Sequence, residues 1–236
     1  MKINLTWNNK MGCRQFNVDP IDTCQGRPCY ESCYAQQGVR FASGAIGPRW
    51  KTCTKSWNQN YGAITLWKNF SGIMTDMIRD GKDKRFRWFS AGDCPEGCEK
   101  KIAKVMLNTI NTTHLVFTKS WKFYEEIIGL RNVRAFFSLW PDEELSDAEQ
   151  ADAFTFCLEG GVGENFAAVI PQKPGRFEEL LKKRIERISM NSPVVQKVCP
   201  GKCSKCGFCW SPFGTKFVMF RAHGIHKSKI YSEGIK

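Results

Sequence analysis

The chain lacks any apolar run that could cross a membrane, and its first residues lack the features of a secretory signal. A membrane-spanning helix needs about 20 consecutive apolar residues, and no stretch of the 236-residue sequence approaches that length. The first ten residues, MKINLTWNNK, contain no apolar segment of the kind that signal peptides carry. We therefore expect a cytoplasmic protein that makes no membrane contact.

Basic residues are absent from Ala135 to Gln172, although the whole chain has a net charge of +12. From Lys173 onward, fourteen Lys and Arg residues stand against four Glu. A basic region attracts phosphate backbones, but a solvated helix face has the same composition. Nucleic acid and a host protein are therefore alternative partners, and the sequence leaves the oligomeric state open.

Internal repeats and low-complexity linkers are also missing, which favours a single domain over residues 1–236. Hydrophobic residues make up 42% of the chain, enough for a sizeable core without disulfides. We expect three parts: an irregular cysteine-rich region (1–60) with a first cluster motif, a βα core (61–190), and a C-terminal cysteine block with a closing strand (191–236).

Short apolar and aromatic runs alternate with amphipathic stretches after residue 60. Strands are predicted at 86–89, 114–117, 133–139 and 166–170, with another near 217–220, and helices at 64–79, 99–110, 121–129, 147–158 and 177–188. This alternation predicts βαβ units in a mostly parallel sheet. Since the strands are too few for a closed eight-stranded barrel, we predict an α/β fold with a partial or open TIM-type barrel.

Polar residues follow several of the predicted strands. The carboxyl ends of parallel strands meet at one edge, where ligands bind. Ordinary turns and helix caps, which Ser and Asp also favour, are the alternative explanation. The candidate positions are Ser90 and Asp93, then Thr118, Lys119 and Ser120, then Ser138 and Gln172.

Twelve cysteines are many for a cytosolic protein, where thiols stay reduced and clusters of them usually bind metal. Cys199, Cys203, Cys206 and Cys209 lie within eleven residues. Such a run can hold zinc or a [4Fe–4S] cluster. The short spacing favours the cluster, because zinc ribbons separate their Cys pairs by about fifteen or more residues.

A second group consists of Cys24, Cys29 and Cys33. Three thiols would leave one iron of a [4Fe–4S] cluster without a protein ligand, and S-adenosylmethionine could bind there. The alternatives are buried structural cysteines or part of another metal site. The sequence leaves the roles of the remaining cysteines open. Cys13, Cys53 and Cys157 are isolated, and an isolated cysteine is most often a small buried residue. Cys94 and Cys98 could face a site at the strand end.

Four segments together resemble the bacteriophage gene product 88 family, which is related to radical-SAM enzymes. They are the Cys24–Ala35 motif, FRWFSAGDC (86–94), HLVFTKSWKF (114–123), and the Cys199–Trp210 block followed by FVMFRAHG (217–224). The first motif is Cys-x4-Cys-x3-Cys, one residue longer in each gap than the usual radical-SAM motif.

The resemblance implies a phage-encoded protein of the host cytoplasm, with one or two [4Fe–4S] clusters near the mouth of a radical-SAM-like barrel. Ser90, Gly92, Asp93 and Lys119 would bind cofactor. The expected function is radical-SAM-like chemistry on a nucleotide, nucleic acid or peptide. The alternative is a non-catalytic iron–sulfur or zinc protein that binds nucleic acid or a host protein through its basic C-terminal half.

Overall fold

The computed structural model describes residues 2–24, 47–140, 145–160, 165–170, 175–189, 194–201, 203–212 and 215–221. Its strands are β1 (Thr6–Asn8), β2 (Cys13–Phe16), β3 (Arg85–Trp88), β4 (Thr113–Thr118), β5 (Val133–Leu139), β6 (Phe166–Ile170), β7 (Val194–Val198) and β8 (Thr215–Arg221). Its helices are α1 (Pro20–Thr23), α2 (Gly47–Leu66), α3 (Phe70–Asp80), α4 (Glu99–Asn108), α5 (Trp121–Ile127), α6 (Asp147–Gly160), α7 (Arg176–Ser189) and α8 (Cys203–Cys206), followed by a 3-10 turn, η1 (Phe208–Trp210).

The eight strands form one sheet in the order β1-β2-β3-β4-β5-β6-β8-β7. β1 pairs with β2 antiparallel, whereas β2–β3, β3–β4, β5–β6, β6–β8 and β7–β8 are parallel. The sheet is open, so the prediction of a mixed α/β fold with a mostly parallel, unclosed sheet is confirmed. None of the described helices is long and apolar enough to span a membrane.

The chain divides into two compact units. The first unit contains Met1–Ala135 and Cys203–Trp210, and the second contains Phe136–Lys202 and Ser211–Lys236. The C-terminal cysteine block is therefore split, because Cys199 belongs to the second unit and the other three cysteines belong to the first.

An aromatic cluster fills the core of the first unit. Phe16, Phe86 and Trp88 are fully buried on β2 and β3. The ring of Phe16 lies 5.6 Å from Phe70 of α3 and 5.5 Å from Trp88. In the β3 sequence Arg-Phe-Arg-Trp the aromatic residues alternate with arginines, and successive side chains of a strand point to opposite faces. One face of β3 therefore belongs to the core, and the other carries Arg85 and Arg87.

His114 is a buried structural residue of β4. Trp88 Nε1 donates to His114 Nδ1 at 3.1 Å. Nδ1 is thus the acceptor, so Nε2 carries the proton and donates to Thr109 Oγ1 at 2.8 Å. Burial, the dominant cause, lowers the pKa of His114 to about 3. The imidazole is therefore neutral at physiological pH.

In the second unit α6 and α7 share an apolar core with β6 and β8. The rings of Phe154 and Phe177 meet edge to face at 5.8 Å, and Leu181, Ile185 and Phe217 are fully buried. The buried residues of α7 follow an i, i+4, i+8 pattern, so the predicted amphipathic helix is confirmed.

Two predictions about the N-terminal half were wrong. The helix expected at 64–79 is two helices, α2 and α3, with a break at residues 67–69. Apolar periodicity does not distinguish one continuous helix from two in succession, and Asn69 takes the N-cap position of α3. Residues 1–60 are not irregular throughout, because they include β1, β2, α1 and most of α2. β1 (Thr-Trp-Asn) and β2 (Cys-Arg-Gln-Phe) contain no run of aromatic or branched residues that would mark them as strands.

Candidate functional site

Asp93 lies at the carboxyl ends of β3 and β4 and joins them. Its Oδ1 accepts from Thr118 Oγ1 at 2.6 Å and from the backbone N–H of Cys94 at 2.8 Å. Its Oδ2 accepts from the backbone N–H of Lys119 at 2.8 Å. The Asp93 residue is 4% exposed. The structure therefore brings Asp93 and Lys119 together, as the strand-end pattern predicted, but the carboxylate oxygens are engaged by the protein itself.

Gly92 allows the N-terminal segment to approach the loop after β3. Its φ is +75°, and a Cβ there would lie 2.6 Å from the Val18 carbonyl oxygen and 2.8 Å from Thr23 Oγ1. Thr23 Oγ1 also accepts from the backbone N–H of Asp93 at 3.1 Å. Packing of the chain alone thus accounts for glycine at this position.

The same approach positions Cys24. Asn17 Oδ1 accepts from the backbone N–H groups of Ser90 and Ala91 at 2.8 and 3.2 Å. These bonds, with those of Thr23, attach α1 to the loop after β3, and Cys24 is the residue that ends α1. Cys24 is buried, and its Sγ lies 3.7 Å from Thr23 Oγ1. Cys29 and Cys33 lie outside the described residues.

Ser90 belongs to a polar network on β1 and β2. Its Oγ donates to Gln15 Oε1 at 2.6 Å, and Asn8 Nδ2 donates to the same oxygen at 2.8 Å. Gln15 Nε2 in turn donates to Thr6 Oγ1 at 3.1 Å. Ser90 therefore faces the β1–β2 network, whereas Asp93 faces the end of β4.

The other strand-end candidates lie elsewhere. Ser120 caps α5, since its Oγ accepts from the Phe123 N–H at 3.4 Å. Ser138 is inside β5 and belongs to the second unit, and Gln172 is not among the described residues. The alternative explanation as a helix cap therefore holds for Ser120.

Cys94 and Cys98 are buried thiols that donate to backbone carbonyls. The Cys94 Sγ lies 3.4 Å from the Pro95 oxygen, and the Cys98 Sγ lies 3.7 Å from the Ile64 oxygen. Burial raises the pKa of Cys98. These contacts are those of buried cysteines packed in the core.

The C-terminal cysteine block has a different environment. Cys203 and Cys206 are the ends of the single-turn helix α8, and Cys209 lies in η1. Gly207, with φ +64°, links the two turns, and its N–H donates to the Cys203 carbonyl at 3.2 Å. All three cysteines are partly exposed thiols and not halves of disulfides. Cys199, by contrast, follows β7, and its N–H donates to the Met219 carbonyl at 2.8 Å.

Soft thiolates on adjacent turns are a suitable donor set for iron or zinc. Within the described ranges, however, no three Cys, His, Asp or Glu side chains are grouped so that they could hold a metal ion. The backbone spacing and partial exposure of the thiols are therefore compatible with a metal centre, although the side chains are not arranged as one.

A feature that the sequence reasoning missed is the arginine face, which we define as Arg85, Arg87, Phe117 and Trp210. The Cζ of Arg85 lies 5.3 Å from the centre of the Trp210 ring, and the Cζ of Arg87 lies 5.4 Å from that of Phe117. Both are cation–π distances. The alternation Arg-Phe-Arg-Trp was the signal that could have revealed this face.

Cys13 lies beside these arginines. Burial, the largest influence, raises the pKa of Cys13 to about 11, although the charges of Arg87 and Arg85 lower it. The thiol is therefore neutral at physiological pH and is no counterion for the arginines. The nearby carboxylate of Asp83 is paired with Arg14, whose Nε donates to it at 2.8 Å.

Comparison with known proteins supports the resemblance seen in the sequence. The family model described as Gene product 88 matches residues 3–212, which is most of the chain. Neither a curated protein nor a solved structure matches the sequence of this protein. The chain therefore belongs to the Gene product 88 family.

Proposed function

We propose that this phage protein is an iron–sulfur protein whose C-terminal cysteine block, with Cys203, Cys206 and Cys209 as its core, holds a metal cluster. The observation that supports this is the contrast in burial. Cys13, Cys94 and Cys98 are buried and belong to neither cysteine motif, whereas the three block cysteines are partly exposed on two linked turns. Cys199 is the fourth thiol of the sequence motif.

The experiment is anaerobic purification with iron, acid-labile sulfide and zinc measured per chain. If both cysteine motifs hold clusters, we expect more than about four iron atoms per chain. The double variant Cys206→Ala, Cys209→Ala should lose about half of that iron. Cys53→Ala, which removes another partly exposed thiol, is the matched control and should lose none. Stoichiometric zinc without iron or sulfide would replace the iron–sulfur proposal with a zinc site.

The finer proposal is radical-SAM-like chemistry in a partial barrel, with a second cluster held by Cys24, Cys29 and Cys33. The attachment of Cys24 beside the β3 and β4 ends supports it, because ligands of parallel sheets bind at that edge. Ser90, Gly92, Asp93 and Lys119 would line the cofactor side. When bound, such a cluster supplies one-electron chemistry.

S-adenosylmethionine provides the test of an open iron. Adding it to the reduced protein should change the electron paramagnetic resonance spectrum, and 5′-deoxyadenosine should form. Cys24→Ala should abolish both effects, whereas Cys53→Ala should preserve them. An unchanged spectrum with wild-type protein that contains its full iron would refute the finer proposal and leave the C-terminal cluster unaffected.

The second candidate is a nucleic-acid or host-protein partner for the basic C-terminal half. Lys183 and Arg187 are exposed one turn apart on α7, which favours it. Other basic residues of α7 are already paired, since Lys182 binds Glu178 and Arg184 binds Asp152. For nucleic acid, charge reversal at Lys183 or Arg187 should reduce the log–log salt slope of binding by about 0.9 for each phosphate that the side chain neutralises.

A further inference from the structure

We propose that the arginine face binds the phosphate of a small phosphomonoester, and that Arg85 and Arg87 are its recognition residues. The site adjoins the C-terminal cysteine block, since Trp210 follows Cys209 in η1, but the groups that bind the phosphate are Arg85 and Arg87 and not the thiols. It lies entirely within the first unit, because β3, β4 and η1 all belong to it.

Both guanidinium groups lie on one face of the sheet. They are two residues apart on β3, and the residue between them, Phe86, is fully buried on the opposite side. Residues two apart on a strand are separated by about 7 Å and share a face. Arg85 is exposed and Arg87 is partly buried, so the face is open to solvent at one end and enclosed at the other.

Each of the two guanidinium groups lies over an aromatic ring. Trp210 lies beneath Arg85 and Phe117 beneath Arg87 at the cation–π distances given above. Stacking occupies the face of a guanidinium and leaves its edge N–H groups able to donate, which is how arginine recognises phosphate and carboxylate.

Donors on this face lack acceptors. Arg87 Nε and Trp210 Nε1 are buried, and neither has a hydrogen-bond partner among the described residues. Among the described residues, Arg87 donates through Nη1 to the Met11 Sδ, which is a weak acceptor. Buried donors are normally satisfied, so this face offers more donors than the surrounding protein uses.

Charge on the face is also unbalanced. Within the described parts of the chain, neither Arg85 nor Arg87 forms an ion pair, whereas Arg14, Arg184 and Arg221 each pair with a carboxylate. A phosphomonoester has several acceptor oxygens and up to two negative charges, so it can accept from two guanidinium groups at once. A carboxylate has fewer acceptors and one charge, which makes phosphate the better match.

The surroundings suit an ester of a hydroxylated molecule. Gln15 is opposite Arg87 in the β2–β3 register, and it connects Ser90, Asn8 and Thr6 through hydrogen bonds. This polar network lies on β1 and β2, next to the strand that carries the arginines. The part of the ligand beyond the phosphate would therefore meet a polar surface.

Isothermal titration calorimetry at fixed ionic strength tests the site with inorganic phosphate, adenosine 5′-monophosphate and adenosine. We expect the monophosphate to bind wild-type protein and adenosine not to bind. Arg87→Gln should weaken binding of the monophosphate by about tenfold or more, given the strength of charge-assisted pairs. Arg85→Gln, at an exposed position where substitution leaves the core intact, should weaken it in the same direction.

Arg79→Gln is the matched control, because it removes the same charge from an exposed arginine on α3 that donates to the Asn108 carbonyl. It should change the affinity by less than about twofold, as expected for a screened surface charge. Tighter binding of the monophosphate than of phosphate indicates a nucleotide ligand, and equal binding indicates that phosphate alone is recognised.

Three results would overturn the proposal. They are no binding of either phosphate compound at about 10 mM, equal binding of adenosine, or equal weakening by Arg79→Gln. Binding only to a DNA or RNA oligonucleotide, abolished in the Arg85 and Arg87 variants, would reject a small ligand and identify a nucleic-acid surface instead.

Discussion

Acidification should destabilise this protein at pH values where its carboxylates are still ionised, because of His114. The imidazole is buried and held neutral between Trp88 and Thr109. Its pKa is about 3 in the folded protein, against an ordinary value of 6.5. At pH values between these two pKa values, His114 is protonated in the unfolded chain and neutral in the folded protein. Stability is complete above pH 6.5 and falls as the pH is lowered.

The size of the effect follows from the two pKa values. At pH 5 the unfolded state gains about 2 kcal/mol from protonation of this one residue. At pH 3 the loss is about 4 kcal/mol, a large part of the stability of an ordinary domain. Asp19 acts in the opposite direction, since burial raises its pKa above the ordinary 3.8.

Urea denaturation at pH 7.5, 6.0 and 5.0 measures this dependence, and His114→Gln is the matched variant. Glutamine can donate and accept, but it does not titrate, so any effect of Asp19 or of other carboxylates is common to both proteins. We expect the free energy of unfolding of the wild type to fall by about 2 kcal/mol more than that of the variant between pH 7.5 and pH 5. Parallel pH profiles would refute the neutral, buried assignment of His114.

Three further substitutions test the packing around the site. Gly92→Ala should reduce the free energy of unfolding by about 2–4 kcal/mol, through backbone strain and a clash with a carbonyl. The control Gly97→Ala, at φ +77° with open space, should show only the strain, about 1 kcal/mol. Equal losses would contradict the close approach of the chain to Gly92. Asp93→Asn should cost about 1–3 kcal/mol in urea denaturation, because an amide N–H₂ would face a donor, and an unchanged midpoint would disprove the described bonds. Arg14→Ala should cost about 3–5 kcal/mol by leaving the Asp83 carboxylate buried without its partner, and thermal melting that matches wild type would show that the pair is dispensable.

The sequence predicted the regular elements of the core well. β3, β4, β5, β6 and β8 lie where short runs rich in aromatic and branched residues indicated strands. The strands β1, β2 and β7 were missed for opposite reasons. β1 and β2 contain mostly polar residues, and β7 is an edge strand whose residues are all partly or fully exposed.

The site was predicted less completely, because the sequence does not show which hydrogen-bond donors pair with which acceptors in the fold. The expectation that Asp93 and Lys119 lie together is correct, since both follow neighbouring parallel strands. The separation of Cys199 from Cys203 by the boundary between the two units could not be read from their short spacing. The position of Trp210 beneath Arg85 depends on a contact between residues that are far apart in sequence.

The hydrogen bonds of these groups give a physical criterion for where ligand can bind. Asp93 was the strongest strand-end candidate, yet its oxygens already accept three hydrogen bonds from Thr118, Cys94 and Lys119. A carboxylate has about four acceptor sites, so the three bonds leave Asp93 little capacity to accept from a ligand. On the arginine face the situation is reversed, because Arg87 Nε and Trp210 Nε1 donate to nothing among the described residues. An anion bound by Arg85 and Arg87 would break no ion pair of the described residues, which is why the proposed ligand site is on the arginine face and not at the Asp93 carboxylate.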